Sequence, residues 1–303
     1  MSDTTQSLAV DLGGTNTRVA LVAPDGTITA HDVEPTARQD QHPDELIEHI
    51  RRVAEGSTVH HAVVGVPGRV DHAGGRLEFA PNLPPTWAER LTEAWLTQET
   101  GLRVTLANDA DLAAVGEHRF GAGRGVDDMV YVTISTGIGG GAIIGGRLLR
   151  GRRSMLEIGH TTIDRHDDGP GRTLEGAASG TALGRSAELA GLDARGPAIV
   201  ELVERGDAKA VSVWKDLAEA AAFGMANLAH LFSPQLIVVG GGLGLVGDLL
   251  YGPMRAAVAT YGPRELPQPI RIESALLGDD AGLIGAAGWL AAIGSATRTE
   301  ETR

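Results

Sequence analysis

The chain is 303 residues long, with 39 acidic against 26 basic side chains, a net charge of −13 and no cysteine. That length suggests about two domains; the missing thiols exclude disulfides, a thiolate nucleophile and cysteine-bound zinc, and lysines and arginines that are scattered instead of striped offer nothing to a nucleic acid. A polar N-terminus, and no run near the ~18 apolar residues that span a bilayer, predict a soluble cytoplasmic protein without a membrane partner. From the N-terminus, apolar runs predict strands at 7–12, 17–23 and 27–33, the last pair turned at Pro24-Asp25-Gly26. Between the first two lies Asp11-Leu-Gly-Gly-Thr-Asn-Thr-Arg18. Its adjacent Gly13 and Gly14 let backbone N–H groups approach a phosphate, Thr15 adds a hydroxyl, and Asp11 at the strand end is placed to hold a hydrated Mg²⁺. A plain glycine turn in a hairpin explains the same residues.

Residues 43–53 have helical apolar spacing at 46, 47, 50 and 53, and 61–66 reads as a buried strand. Then come a hairpin over 68–79, a helix over 86–99, a strand over 103–107 and a helix over 109–119. Asn108-Asp109 sits where that strand meets that helix, and carboxyl ends of strands line the ligand crevice in open α/β sheets. Asp109 is therefore a candidate to accept a hydroxyl proton during phosphoryl transfer; both residues also suit a helix N-cap.

Tyr131–Gly146 repeats the first design, with Thr136, Gly137 and Gly139 in a turn between two apolar strands. Two such cradles suit a nucleotide gripped from opposite sides by related lobes. Beyond them we expect a strand near 158–163, helix from about 174 to 232 with one long helix over 209–232, and a strand over 236–239. A helix over 247–261, a strand over 270–274 and a last helix over 281–293 follow. The lobes are expected at 1–118, joined by the C-terminal helix at about 283–303, and at 119–282. Gly240-Gly-Gly-Leu-Gly-Leu-Val-Gly247 contains a G-x-G-x-x-G after a strand and before a helix. A dinucleotide site would explain it, but would leave the other two cradles unused and lacks a clear acidic partner at a later strand end.

Asp11–Thr15, Gly65-Val-Pro-Gly68, Pro81-Asn-Leu83, Asn108-Asp109, Ser135–Gly140, Glu157-Ile-Gly-His160, Leu174-Glu175 and Val239–Gly242 occur here in order. Together they resemble the ROK family (repressor, open reading frame, kinase), most closely its glucokinase-like sugar kinases, over nearly the whole chain. The resemblance implies an α/β, two-lobed actin-like and hexokinase-like (ribonuclease H-like) ATPase fold with a nucleotide and sugar cleft between the lobes. It implies an ATP-dependent, Mg²⁺-using hexose kinase with Asp109 as catalytic base, and a homodimer. The sugar would be held by Gly65, Asn82, Asn108, Asp109, Glu157, His160 and Glu175. The nucleotide would be held by Asp11, Gly13, Gly14, Thr15, Asn16, Thr136, Gly137, Gly139, Gly240, Gly241 and Gly242. Taken singly, Asn82 also reads as a turn residue, Glu175 as a surface helix charge and His160 as a buried core histidine.

The 6-hydroxyl of glucose is the default acceptor on this resemblance; kanosamine, N-acetylglucosamine, N-acetylmannosamine, mannose and fructose stay open. The family also includes sugar-responsive regulators, which carry an N-terminal winged helix; a first strand near residue 7 leaves no room for one. A catalytically dead sugar-binding module would lack the acid at Asp109. The chain departs from the family after His160. Typical members carry a Cys-x-Cys-Gly-x-x-Gly-Cys zinc loop there, where this chain has residues 164–174, Asp-Arg-His-Asp-Asp-Gly-Pro-Gly-Arg-Thr-Leu. His166, Asp167 and Asp168 are metal-compatible, yet three adjacent loop residues make a poor tetrahedral site. No structural zinc is expected, and His160 must then be oriented by hydrogen bonds.

Overall fold

The computed structural model describes residues 6–36, 43–80 and 82–293. Its first sheet has the order β3-β2-β1-β4-β7, built from β1 (Ser7–Leu12), β2 (Asn16–Val22), β3 (Ile28–Pro35), β4 (His61–Val66) and β7 (Arg103–Asn108). β3, β2 and β1 form an antiparallel meander, and β1, β4 and β7 run parallel. Helix α1 (Asp44–Ala54) has acids in its first turn and arginines in its last, which complements the helix dipole. Its Leu46, Ile47 and Ile50 enter a core with Leu8, Val10, Leu12, Val64 and Leu106. Successive strand residues point to opposite faces, and the other face is covered by α4 (Asp109–Phe120) and α10 (Ala281–Ala292). A small hairpin, β5 (Arg69–Asp71) with β6 (Arg76–Phe79), follows β4.

The helix expected over 86–99 is two helices, α2 (Pro85–Arg90) and α3 (Glu93–Thr100). Between them the Leu91 carbonyl accepts the Leu77 N–H at 2.9 Å, and Thr92, extended at φ −119°, accepts the Trp95 N–H at 3.1 Å. Pairing to the hairpin and a fresh N-cap outcompete one more helical turn.

The second sheet has the order β10-β9-β8-β11-β12, from β8 (Met129–Ile134), β9 (Ile138–Ile144), β10 (Arg147–Leu148), β11 (Leu236–Gly240) and β12 (Arg271–Ser274). Counted within each sheet, the order is 3-2-1-4-5 both times, so the repeated cradles reflect repeated sheets. The strand expected at 158–163 is instead a 3₁₀ turn over Ile158–His160 and irregular chain, because the His160 and Thr161 N–H groups bond back to the Glu157 and Ile158 carbonyls. The helical stretch expected from 174 to 232 is broken into α5 (Leu174–Ala178), α6 (Gly180–Leu189), α7 (Pro197–Glu204) and α8 (Ala208–Phe232). Thr173, Ser179 and Asp207 side chains cap α5, α6 and α8. Helix α9 (Asp248–Tyr261) precedes β12.

By its contacts the chain divides into two compact units. One comprises the chain through Phe120, Ile143–Met155 and the segment from Asp280; the other comprises Gly121–Ala142 and Leu156–Asp279. Ile143–Met155 thus groups with the first unit, although its sequence position lies within 119–282. Its residues bond to the β5–β6 hairpin, through His72 N–H to the Arg152 carbonyl and Ser154 N–H to the Val70 carbonyl. Residues beyond 293, part of the expected C-terminal helix, lie outside the described residues. No helix among the described residues is long and apolar enough to cross a membrane.

His72 makes this hairpin acid-sensitive. Both its ring nitrogens are buried without a hydrogen-bond partner in the described structure. Burial, and then the Arg150 guanidinium, push its pKa down from 6.5 to about 4. At pH 5 the folded ring is therefore neutral while the unfolded ring is protonated. The unfolded state binds more protons, and stability falls as pH drops from 6.5 toward 4. At about 1.4 kcal/mol per pH unit the loss reaches roughly 2 kcal/mol by pH 5. His72→Gln is expected to remove that share, read as the wild-type minus variant difference in urea unfolding at pH 7 and pH 5. Equal differences at the two pH values would contradict it.

Candidate active site

In the first unit, three parallel strands end side by side. Asp11 on β1 is in register with Gly65 on β4, and Gly65 with Ala107 on β7, one residue before Asn108. The chain after β1 turns through Gly13, Gly14 and Thr15, with the Gly13 N–H donating to the Asn16 carbonyl at 3.0 Å. Buried Thr36, which sequence reasoning missed, staples this turn from the far end of β3. Its N–H donates to the Thr15 carbonyl at 2.8 Å and its hydroxyl to the Gly13 carbonyl at 2.7 Å. A methyl on Gly14 would stand 3.0 Å from the Asn82 Cβ, so the phosphate-type turn abuts the expected sugar loop. Asn82 is exposed there; Pro81 of the same motif lies outside the described residues.

Asn108 and Asp109 divide the two roles left open by the sequence. Asn108 Oδ1 accepts the N–H groups of Ala110 at 3.0 Å and Asp111 at 3.1 Å, which is the N-cap role, while its Nδ2 donates to the Gly68 carbonyl at 2.8 Å. Asp109 opens α4 with an exposed carboxylate whose Oδ1 accepts the Ala110 N–H at 2.8 Å. Asp11 is engaged by an arginine that the motif reading passed over: Arg18 Nη2 lies 2.5 Å from Asp11 Oδ2. Nothing in the local pattern marked Arg18, because a lone arginine ordinarily reads as a solvated charge.

The second unit assembles its own set. Between β8 and β9 the Ser135 N–H donates to the Gly137 carbonyl at 2.9 Å, closing the turn that carries Thr136 and Gly137, and Gly139 follows within β9. Glu175, at the start of α5, reaches this turn: its Oε2 accepts the Ile138 N–H at 2.8 Å and would lie 2.6 Å from a methyl on Gly137. It thus braces the turn instead of standing as a surface helix charge. The capped start of α6 also meets the turn, with the Gly180 N–H donating to the Ser135 carbonyl at 2.6 Å and the Thr181 hydroxyl to the Thr136 carbonyl at 2.6 Å. Gly240 on β11 is in register with Thr133 on β8. Gly241 then takes φ +78°, and a methyl there would stand 2.5 Å from the Ile134 carbonyl oxygen. Gly242 follows in a 3₁₀ turn.

Glu157 and His160 are exposed, with His160 Nε2 3.8 Å from Glu157 Oε2. His160 is therefore not a buried core histidine. The 164–174 stretch is closed by backbone: the Ile163 N–H donates to the Arg172 carbonyl at 2.9 Å and the Leu174 N–H to the Thr161 carbonyl at 3.0 Å. Asp164 Oδ1 and Asp167 Oδ1 accept the His166 and Gly169 N–H groups at 2.8 and 2.6 Å. These donors do not fit a tetrahedral zinc, since two of the three available carboxylates are turned onto their own loop and no thiolate exists.

The ROK family model matches residues 7–293. A glucokinase of Thermotoga maritima is 33% identical over 92% of this chain and 95% of its own. An N-acetylmannosamine kinase of Escherichia fergusonii is 35% identical over 93% and 97%. The crystal structure of a ROK family glucokinase from Streptomyces griseus in complex with glucose and AMPPNP superposes with a TM-score of 0.78 at 32% identity, covering 94% of this chain and 99% of that one.

Proposed function

The chain belongs to the ROK family and is a sugar kinase, and we propose that it transfers the γ-phosphoryl group of ATP to the 6-hydroxyl of glucose or a close analogue. Its fold is the actin-like, hexokinase-like ATPase fold. The observation that carries the reading is the division at the start of α4: Asn108 caps the helix, and Asp109 keeps an exposed carboxylate at the carboxyl end of β7. That is where a general base for an acceptor alcohol is needed.

In this reading Asp109 takes the hydroxyl proton as the sugar oxygen bonds to the γ-phosphorus and the bond to the β–γ bridging oxygen breaks. Close approaches of protein atoms require glycine at 14, 137 and 241, where a methyl would meet the Asn82 Cβ, Glu175 Oε2 and the Ile134 carbonyl oxygen; in this reading the turns around 13–14, 137 and 240–242 lie along the phosphates. Asp11 would hold Mg²⁺ through water, and the bound ion would supply charge neutralisation on the phosphates. Asn82, Glu157 and His160 offer the mixed donors and acceptors that ring hydroxyls require, while Asn108, whose Oδ1 accepts two backbone N–H groups, has the second N–H of its Nδ2 to give. Glu175 Oε2 is committed to the Ile138 N–H, so its share in sugar binding falls to its other oxygen. The same reading places the enzyme in the cytoplasm, as a homodimer; exposed Phe223, Leu231 and Tyr261 on α8 and α9 support self-association.

Glucose is favoured by the glucokinase relatives, and the N-acetylmannosamine kinase relative favours a second reading, an N-acetylated or amino hexose. An ADP-release screen over glucose, kanosamine, N-acetylglucosamine, N-acetylmannosamine, mannose and fructose separates them. Glucose is expected to lead in kcat/KM by about tenfold or more, the discrimination that contacts to one ring substituent supply. A lead by N-acetylmannosamine or kanosamine would replace the first reading with the second.

A further inference from the structure

Asp11 and Arg18 face each other across β1 and β2. The Arg18 guanidinium reaches two carboxylates from different parts of the chain. Nε and Nη2 donate to Asp11 Oδ2 at 3.0 and 2.5 Å, and Nη1 donates to Asp280 Oδ1 at 3.1 Å. Arg18 and Asp11 are mostly buried, their side chains 21% and 27% exposed. Both carboxylates sit at junctions. Asp11 lies two residues before the Gly13-Gly14 turn. Asp280 immediately precedes α10 and makes no side-chain cap bond to it, turning to Arg18 instead. Helix α10 in turn packs on α4, where Gly116 lies against the Ala281 carbonyl and Gly285 against the Leu112 carbonyl.

Resting on the kinase reading above, we propose that Arg18 is a positioning residue for the nucleotide's metal. By holding Asp11 Oδ2 it leaves Oδ1 to hold the metal's water, and through Asp280 it ties that carboxylate to the start of α10. A carboxylate already bonded to a guanidinium is partly neutralised, which suits it to hold a water of a hydrated Mg²⁺ instead of stripping the ion. The planar fork of arginine meets both partners at once; the point charge of a lysine would hold one or the other.

The test reads binding without sugar or turnover. Calorimetric titration of ATP, once in excess chelator and once in saturating Mg²⁺, gives the gain in affinity due to the metal. In Arg18→Met that gain is expected to fall by about tenfold, as when a partner that orients a metal-ligating group is lost. Arg18→Lys and Asp280→Asn are expected to lose about threefold each, since each keeps one half of the clamp. Affinity for ATP in chelator should stay near wild type in all three. A wild-type metal gain in folded Arg18→Met overturns the proposal. So does an equal loss with and without Mg²⁺, the outcome of a purely structural role. Should Arg18→Met fail to fold, Arg18→Lys and Asp280→Asn decide by the same ratio. Failure of the wild-type protein to bind ATP at all would instead sink the kinase reading itself.

Discussion

Asp109→Asn is expected to lower kcat by about three orders of magnitude, within the 10²–10⁴ that a positioned general base contributes, while KM for sugar and ATP changes by less than about threefold. The substitution is close to isosteric. Its amide oxygen can still accept the Ala110 N–H that Asp109 Oδ1 accepts at 2.8 Å, and the cap on α4 belongs to Asn108. Folding stability should therefore stay within about 0.5 kcal/mol of wild type. Asn108→Ala should show the reverse pattern in stability, costing about 1–2 kcal/mol through the lost cap, with the Gly68 tie lost besides. Steady-state kinetics beside chemical unfolding of both variants separates the roles. An Asp109→Asn enzyme turning over near the parental rate would show that the proton goes elsewhere.

Gly241→Ala should produce the second large effect, a fall of about 10² in kcat/KM for ATP, the penalty for displacing binding groups by about 1 Å. The added methyl would stand 2.5 Å from the Ile134 carbonyl oxygen, 2.8 Å from Thr133 Oγ1, and on a backbone with φ +78°. Its main obstacle is backbone at the end of a central strand, so the 240–242 segment has to move. The left-handed conformation adds about 1–3 kcal/mol of strain, visible as lower stability. Gly252→Ala, on α9 and outside the residues assigned to the nucleotide, is the matched control, since nothing lies within 4 Å of a methyl there and its φ is not left-handed. The kinetic loss should be confined to Gly241→Ala. Equal behaviour of the two variants would remove this segment from the nucleotide site.

The parts of the fold that were legible in the sequence were those with strong local signals. Apolar runs ending at glycine-bearing turns marked β1, β8 and β11, and the spacing of Leu46, Ile47, Ile50 and Val53 marked α1. Misreadings came where a distant partner decides. Leu91 and Thr92 interrupt a helix because Leu77 needs a carbonyl, and the 158–163 stretch, whose composition suits a strand, closes instead onto residues 172–174, the Ile163 N–H bonding the Arg172 carbonyl and the Leu174 N–H the Thr161 carbonyl. The same holds in the sites. Asn108 and Asp109 were visible as a pair, but only the two N–H groups aimed at Asn108 assign the cap. Arg18, Thr36 and the start of α6 at Ser179–Thr181 were missed because each acts through a partner that sequence spacing does not place beside it. Glu175 was picked for the sugar, whereas its bond to the Ile138 N–H beside Gly137 gives it a part in bracing that turn as well.

The central claim is that this chain moves a phosphoryl group from ATP onto O6 of a hexose with Asp109 as base. It is tested most directly by ³¹P–¹H correlated NMR of the product formed from ATP and glucose, run in parallel with wild-type protein and Asp109→Asn. The expected result is a phosphorus signal coupled to the two C6 protons for the wild type and almost none for the variant in the same interval. Phosphate coupled to the anomeric proton, or the same product formed at the same rate by both proteins, would contradict it.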